Sequence, residues 1–122
     1  MTSIILSIKP QFVDKILKWE KKFELRKSIP SKSFDKVIIY ASAPISKIVG
    51  EFTVKQIIKS DLKSLWNTTK DYSCINKDFF DKYFEWKEIW YAIEIKEIKQ
   101  YKQPLPITKY MKYPPQNFAY IH

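Results

Sequence analysis

The chain has 122 residues, of which 45% are hydrophobic and 16% aromatic, which is enough for one domain with a well-filled core. No apolar run approaches the ~18 residues that a membrane span requires, so we expect no membrane insertion. Lys and Arg number 22 against 13 acidic residues, and the formal net charge is +9. This balance favours a polyanionic partner, chiefly nucleic acid, over the alternative of a basic protein without such a partner.

The residue types that are scarce exclude several kinds of chemistry. Gly50 is the only glycine, which excludes glycine-rich phosphate loops and dinucleotide fingerprints. His122 is the only histidine and stands last, which argues against Ser–His and Cys–His catalysis and the usual zinc sites. Cys74 is the only cysteine, which excludes an internal disulfide and fits a reducing compartment. Residues 1–6 lack the features of a secretory signal, so we expect a cytoplasmic protein. We further expect a single domain over 1–122 that uses no cofactor and no metal.

The first half of the chain predicts one helix among four strands. Ile4, Leu6 and Ile8 alternate as in a half-buried strand. Pro10 suits the first turn of a helix, which should end near Trp19 because the apolar residues between them follow helical spacing. Apolar residues that alternate or form a short run then predict strands at 22–26, 37–41 and 48–57.

The second half predicts two short helices and two further strands. Ser60 and Asp61 are N-cap candidates for the first helix, and Asn76 is a candidate for the second. Alternation over 89–95 predicts a strand. Residues 100–116 hold four of the seven prolines and predict an irregular arm, which a strand at 118–121 would follow.

The order of these elements indicates an α+β fold. Five or six strands with two to three short helices in this order cannot form an alternating βαβ array. Because several strands are short, we expect them to close into a small mixed β-barrel.

Several segments together resemble the signature of the ASCH domains, a branch of the PUA-like folds. That signature is a helix, a glycine turn and a strand of the form G-x-K-x-x-E/T-x-R, which the sequence EKKFELR matches at 20–26. Further likeness lies in LSIKP at 6–10, IL at 16–17, IVGEF at 48–52, YAI at 91–93 and PPQNF at 114–118. The resemblance therefore covers nearly the whole chain.

The resemblance implies a PUA-like barrel with a cleft lined by Lys21, Glu24 and Arg26. ASCH domains are proposed to bind RNA or modified nucleobases in this cleft; some resemble nucleases, and one branch hydrolyses the acetyl group of N4-acetylcytidine nucleosides. Trp19 replaces the turn glycine. Because a tryptophan is strained at positive φ, we expect the turn to differ from that of the family. Position 24 carries Glu where the hydrolase branch carries Thr.

The motif residues have chemistry that suits a nucleotide. Glu24 and Arg26 lie two apart on a strand and share one face, so the simplest alternative is a surface ion pair worth about 0–1 kcal/mol. Arg26 offers a planar fork for a phosphate or a base edge, and Glu24 can accept from an exocyclic amine. Lys21 would hold a phosphate or, if burial removes its proton, act as a base.

Other candidate contacts lie outside the motif. Lys9 follows the first strand and would approach the same mouth, with a solvated lysine as the alternative. Tyr40 and Ser42 end the third strand, where a base could stack and hydrogen-bond, although packing is the alternative for Tyr40. Lysines interleaved with tyrosines over 96–113 suit single-stranded nucleic acid, or the tyrosines pack the arm onto the barrel.

Three functional hypotheses follow, the last of which is a protein-interaction domain that uses the proline-rich arm and that no single feature favours. The first is a nucleic-acid-binding module for RNA or for a modified or displaced nucleotide, read by Lys21, Glu24 and Arg26. The second is a small hydrolase acting on an acylated nucleoside or on RNA, in which Lys21 is the base or nucleophile and Glu24 shuttles the proton.

Overall fold

The computed structural model describes residues 2–74, 76–78, 82 and 89–121, apart from the side chain of residue 62. Its elements, in chain order, are β1 (Ser3–Ile8), α1 (Pro10–Leu17), β2 (Phe23–Arg26), β3 (Lys36–Ala41), β4 (Lys47–Asp61), α2 (Leu62–Thr69), β5 (Ile89–Leu105), a 3-10 turn (Ile107–Lys109) and β6 (Phe118–Ile121). No helix within the described part of the chain is long and apolar enough to cross a membrane.

The six strands form one mixed sheet in the order β2-β5-β4-β3-β1-β6. β1 and β3 run parallel, and all other neighbouring strands are antiparallel. The α+β class predicted from the sequence is confirmed, but the closed barrel is wrong, because β2 and β6 remain the outer strands of an open sheet. Both are only four residues long, and side chains rather than a strand ladder join the two edges, as described below.

The main core lies between α1 and one face of the sheet. Val13 and Ile16 of α1 are buried against the inward-facing residues of the central strands. These residues come from four strands and comprise Ile4, Leu6, Ile8, Val37, Ile39, Ala41, Phe52, Ile93 and Ile95. The alternation seen in the sequence thus produces a continuous apolar face, as a period of two requires.

The opposite face of the sheet is covered by the proline-containing arm. Ile5, Ile38 and Ile48 form a second cluster against which Tyr101 and Tyr110 pack. The arm is less irregular than predicted, because β5 continues to Leu105 and pairs with β4 over this stretch. Proline is tolerated there because β2 pairs only with residues 91–94 of β5, so the later residues of β5 have a strand neighbour on one side alone.

Gly50 is required by the close approach of β4 and β5. A Cβ atom at this position would lie 2.6 Å from the carbonyl oxygen of Lys99, and no side-chain movement can relieve a clash with backbone. The pairing of β4 with β5 shifts register between Ile48 and Gly50, where the glycine lies against β5. The only glycine of the chain therefore serves strand packing rather than a turn.

The helix that begins at Leu62 has the predicted cap. The Asp61 side chain accepts a hydrogen bond from the Ser64 backbone N–H at 2.9 Å, which satisfies one of the free donors of the first turn. The second helix predicted after Asn76 lies largely outside the described residues.

Candidate functional site

The turn that leads into β2 places Trp19 in the left-handed region, with a φ of 64°. Its backbone N–H donates to the Ile16 carbonyl, and the Glu20 N–H donates to the Lys15 carbonyl, each at 2.9 Å. These two bonds are those of a Schellman helix end, whose left-handed position usually holds glycine. The expectation that Trp19 changes the turn is therefore wrong, because the hydrogen bonds at the end of α1 hold the tryptophan in the glycine conformation.

Lys21, the first residue of the motif, is buried and only 2% exposed. Its Nζ donates to the Ser73 carbonyl at 2.5 Å, lies 3.9 Å from Glu24 Oε1 and sits 5.2 Å from the centre of the Phe12 ring. Burial lowers the pKa of this amine below its ordinary value, and the Glu24 carboxylate opposes that shift.

Glu24 extends the buried charges along β2. It is 5% exposed and pairs in register with Ile93, a core residue of β5. Its second oxygen lies 3.4 Å from Arg26 Nη2. The motif therefore forms a chain of three charges on the core side of the sheet, and the alternative of an exposed ion pair is wrong. We call Lys21, Glu24 and Arg26 the buried charge strip.

Arg26 ends the strip and joins the two edges of the sheet. Its Nη1 donates to Asn117 Oδ1 at 2.6 Å, just before β6, and its Nη2 donates to the Ser7 carbonyl at 2.8 Å and to Glu24. A guanidinium has five N–H groups. Two of those on Arg26 have no partner among the described residues, and its side chain is 15% exposed.

Lys9 and Ser42 lie at the same corner of the sheet. The parallel strands β1 and β3 end together, with Ile8 in register with Ala41. The Ser42 backbone N–H donates to the Ile8 carbonyl at 3.0 Å. Lys9 is exposed and Ser42 is partly exposed. We call Lys9, Arg26, Ser42 and Asn117 the Arg26 corner.

Asn117 was missed as a site residue. Its only sequence signal is its place in the PPQNF segment at 114–118, which resembles the closing segment of an ASCH subgroup. A single asparagine in a proline-containing segment gives no indication that it will meet an arginine 91 positions earlier in the chain.

Tyr40 is not brought to this corner. It is buried in the cluster of Ile5, Ile38 and Ile48, on the face of the sheet that the arm covers. Ligand contact by Tyr40 remains a prediction from sequence, and the geometry agrees with the packing alternative.

The tyrosines of the arm divide between packing and exposure. Tyr101 donates to Glu51 Oε1 at 2.7 Å, and burial together with this bond raises the pKa of its hydroxyl above the ordinary value. Although burial opposes it, hydrogen bonds from Lys36 and Tyr101 hold the pKa of Glu51 below its ordinary value. Tyr113 is exposed, so it is the tyrosine of this segment whose ring is open to a ligand.

The described residues contain no group of three or more His, Cys, Asp or Glu side chains that could hold a metal ion. The candidate site is thus described by its cations, amides and hydroxyls.

Comparisons with known proteins agree with this fold. The family model described as "Domain of unknown function (DUF365)" matches residues 1–114. The crystal structure of ASCH from Zymomonas mobilis superposes with a TM-score of 0.89 at 21% identity, covering 98% of this chain and 87% of that one. The resemblance to ASCH domains predicted from the sequence is confirmed.

Two curated relatives are similar over most of this chain. An ASCH domain-containing ribonuclease of Zymomonas mobilis is 26% identical over 85 residues, which are 69% of this chain and 57% of that protein. Large ribosomal subunit protein uL22 of Ureaplasma parvum is 29% identical over 103 residues, which are 84% of this chain. The chain spans only about a third of the length of that ribosomal protein, at 33%.

Proposed function

Because the chain belongs to the family of the domain of unknown function DUF365 and has the fold of an ASCH domain, we propose that it is a nucleic-acid-binding module whose ligand contacts the Arg26 corner. The observation that carries the proposal is the arginine itself. Its guanidinium is fixed by Ser7, Glu24 and Asn117, and two of its five N–H groups have no partner within the part of the chain that the structure describes.

The chemistry of the corner suits a phosphate or a base edge. A guanidinium fixed in orientation loses little side-chain entropy when it binds, and its planar fork matches two acceptor oxygens or a base edge. Exposed Lys9 adds a second positive charge, and partly exposed Ser42 adds a hydroxyl. The buried charge strip orients Arg26 from behind, so Lys21 and Glu24 position the reading group rather than touch the ligand.

Charge over the rest of the molecule supports a polyanionic ligand. The net charge is +9, and the arm exposes Lys99, Lys102, Lys109 and Lys112. Such a surface would hold the phosphate backbone while the corner reads a nucleotide. The ligand we favour is single-stranded RNA or a modified or displaced nucleotide, since one arginine fork can reach an unpaired base edge more readily than a paired one.

Fluorescence anisotropy with labelled single-stranded RNA, duplex RNA and DNA at two salt concentrations tests the proposal. We expect binding that weakens as salt rises, because phosphate contacts release counterions. Arg26→Ala and Lys9→Ala should both weaken binding, and the exposed Lys9 side chain makes no hydrogen bond or ion pair with the described residues. Lys63→Ala, which removes an exposed charge on α2, is the matched control. Binding that is indifferent to Lys9 and Arg26 would contradict the proposed site.

A second candidate is hydrolysis of RNA or of an acylated nucleoside. The observation that favours it is Lys21, a buried amine with a lowered pKa beside a carboxylate, as a general base requires. A relative also bears the name of an ASCH domain-containing ribonuclease. In this mechanism the neutral Lys21 amine takes a proton from the attacking hydroxyl or water and passes it to the Glu24 carboxylate, and Glu24 then delivers that proton to the leaving group.

Incubation with single-stranded RNA and, separately, with N4-acetylcytidine tests this alternative. Turnover that Lys21→Met abolishes, while Lys63→Met on the exposed surface of α2 leaves it unchanged, would support it. No turnover of either compound, or turnover that survives in Lys21→Met, would remove it and leave the binding module.

A further inference from the structure

The turn before β2 holds an exposed aromatic side chain in a costly conformation. Trp19 is 42% exposed, although its φ of 64° is an outlier for a bulky residue. Strained backbone persists only where the surroundings fix it, and it concentrates at functional sites. Here the Schellman hydrogen bonds at the end of α1 fix the backbone of Trp19. The same backbone conformation would suit a glycine equally well, so the turn itself does not require an indole side chain.

A lysine and a second exposed aromatic ring lie beside the tryptophan. Lys22 Nζ lies 5.5 Å from the centre of the Trp19 ring and 4.3 Å from that of Tyr72. Tyr72 is 46% exposed, and its backbone carbonyl accepts from the Lys22 N–H at 2.8 Å. We call Trp19, Lys22 and Tyr72 the aromatic ledge. It combines ring faces with a positive charge at the surface.

An open hollow adjoins the ledge. It has a volume of about 550 Å³ and shares Trp19 as a wall, and this volume falls within the roughly 300–1,000 Å³ of ligand clefts. The lining residues are Leu17, Trp19, Lys96, Glu97, Ile98 and Gln100. Leu17 and Ile98 supply apolar surface beside the Trp19 ring. Lys96 and Glu97 supply a charge of each sign, and Gln100 supplies an amide.

We propose that a base of single-stranded nucleic acid stacks on Trp19 and occupies this hollow, as a second contact beside the Arg26 corner. The inference rests on the proposed function and deepens it. The indole ring accepts any base, since every base has a flat face. Gln100 can donate to and accept from the base edge, and Glu97 can accept from an exocyclic amine. Lys22 and Lys96 supply positive charge for the flanking phosphates.

An exposed base is required for this contact, so stacking on Trp19 strengthens the preference for single strands that the Arg26 corner already favours. A duplex keeps its bases stacked on each other and offers only their edges. Single-stranded RNA should therefore bind more tightly than duplex RNA of the same length. Single-stranded DNA shares the stacking chemistry, and comparison of the two strands tells whether a 2′-hydroxyl contributes.

The test uses the full chain and a single-stranded RNA that carries the fluorescent base 2-aminopurine. Stacking on an indole quenches this base, so wild type should both bind the strand and quench it. Trp19→Leu should weaken binding about 5- to 150-fold and abolish the quenching, as expected for the loss of one stacked base. Trp19→Phe, which restores a ring, should keep most of both signals.

The outcomes separate the two proposals. If wild type binds RNA and Trp19→Leu binds it with equal affinity and equal quenching, the ledge inference is overturned and the nucleic-acid-binding module stands. If wild type binds no single-stranded RNA or DNA, the module itself is overturned and the inference falls with it. Urea unfolding of Trp19→Leu shows whether the variant is folded, and Trp19→Phe keeps the test decisive if it is not.

Discussion

Two neighbouring lysines of this chain lie in opposite surroundings. Lys21 is enclosed beside Glu24 and the Ser73 carbonyl, on the side of the sheet that forms the core. Lys22 lies between the rings of Trp19 and Tyr72 at the surface. The same side chain therefore serves in one place as a buried cation beside a carboxylate and in the next as a partly exposed cation beside aromatic rings.

The difference shows that one short segment can supply both the buried charge strip and the aromatic ledge. Strict strand alternation would place Lys22, not Lys21, on the side of Glu24 and Arg26, so the two lysines, which precede the start of β2 at Phe23, depart from that alternation. Removing a partner from the buried strip should be costly, since it leaves an uncompensated charge away from water. Changing the ledge should alter stability little and ligand contact more.

The strongest test of this comparison is Glu24→Gln. The substitution keeps the volume but leaves Lys21 and Arg26 as buried cations without their carboxylate, and we expect the free energy of unfolding to fall by about 3–5 kcal/mol. Glu20→Gln is the matched control, because Glu20 pairs with Lys15 at the surface, and it should change stability by less than about 0.5 kcal/mol. Urea denaturation measures both, and equal effects would contradict the comparison.

The pH dependence of stability tests the burial of Lys21 in a second way. The pKa of Lys21 in the folded protein lies below its ordinary value of 10.5. At a pH between the folded pKa and 10.5, the unfolded chain therefore binds more protons than the folded one. The free energy of unfolding of wild type relative to Lys21→Met should therefore rise with pH across this window, by at most about 1.4 kcal/mol per pH unit. Urea titrations at several alkaline pH values check the sign, and a difference that falls with pH would contradict it.

The conformation of Trp19 gives a smaller effect. At a positive φ an alanine carries the steric cost of a Cβ atom and a glycine does not. We expect Trp19→Gly to unfold with a free energy about 1 kcal/mol higher than Trp19→Ala, although glycine has the more flexible unfolded chain. The comparison of two variants that both lack the indole isolates the backbone. Alanine at least as stable as glycine would show that the turn is not left-handed.

The smallest effect should be that of Lys22→Met. It removes a cation between two exposed rings, a contact worth about 0.5–1 kcal/mol, and the new side chain still covers them. Thermal unfolding at two salt concentrations should show a small change that depends weakly on salt. A loss as large as that of Glu24→Gln would erase the distinction between the two lysines.

The sequence predicts the elements well where the apolar pattern is local. The periods of two and 3.6 locate β1, α1, β3 and β6, and Asp61 marks the start of α2 as predicted. The sequence predicts too short a β5, because the proline content of residues 100–116 suggests a loop. In the structure the later residues of β5 pair with β4 on one side only, and the unpaired side accommodates a proline. The open sheet was missed because strand patterns carry no information on which edges pair.

The site could be predicted only in part, because a local sequence pattern does not show which distant segments meet. The motif locates Lys21, Glu24 and Arg26 on one strand, but burial depends on what covers that strand, which is set by α1 and by Ser73 far along the chain. The role of Asn117 is evident only in the structure, where its side chain accepts from Arg26 across the two outer edges of the sheet. The conformation of Trp19 was mispredicted because residue preference was weighed without the hydrogen bonds at the helix end.

The short outer strands bear on how the protein behaves at high concentration. An exposed strand edge invites pairing with another molecule, and proteins limit this with short edges, lysines and prolines. Here β2 and β6 are four residues each, and Arg26 fastens one to the segment before the other. The unpaired side of β5 carries Lys96, Lys99, Lys102 and Pro104. A molecule that loses the arginine clasp would hold both outer strands less firmly, and we expect it to self-associate into aggregates before it loses secondary structure.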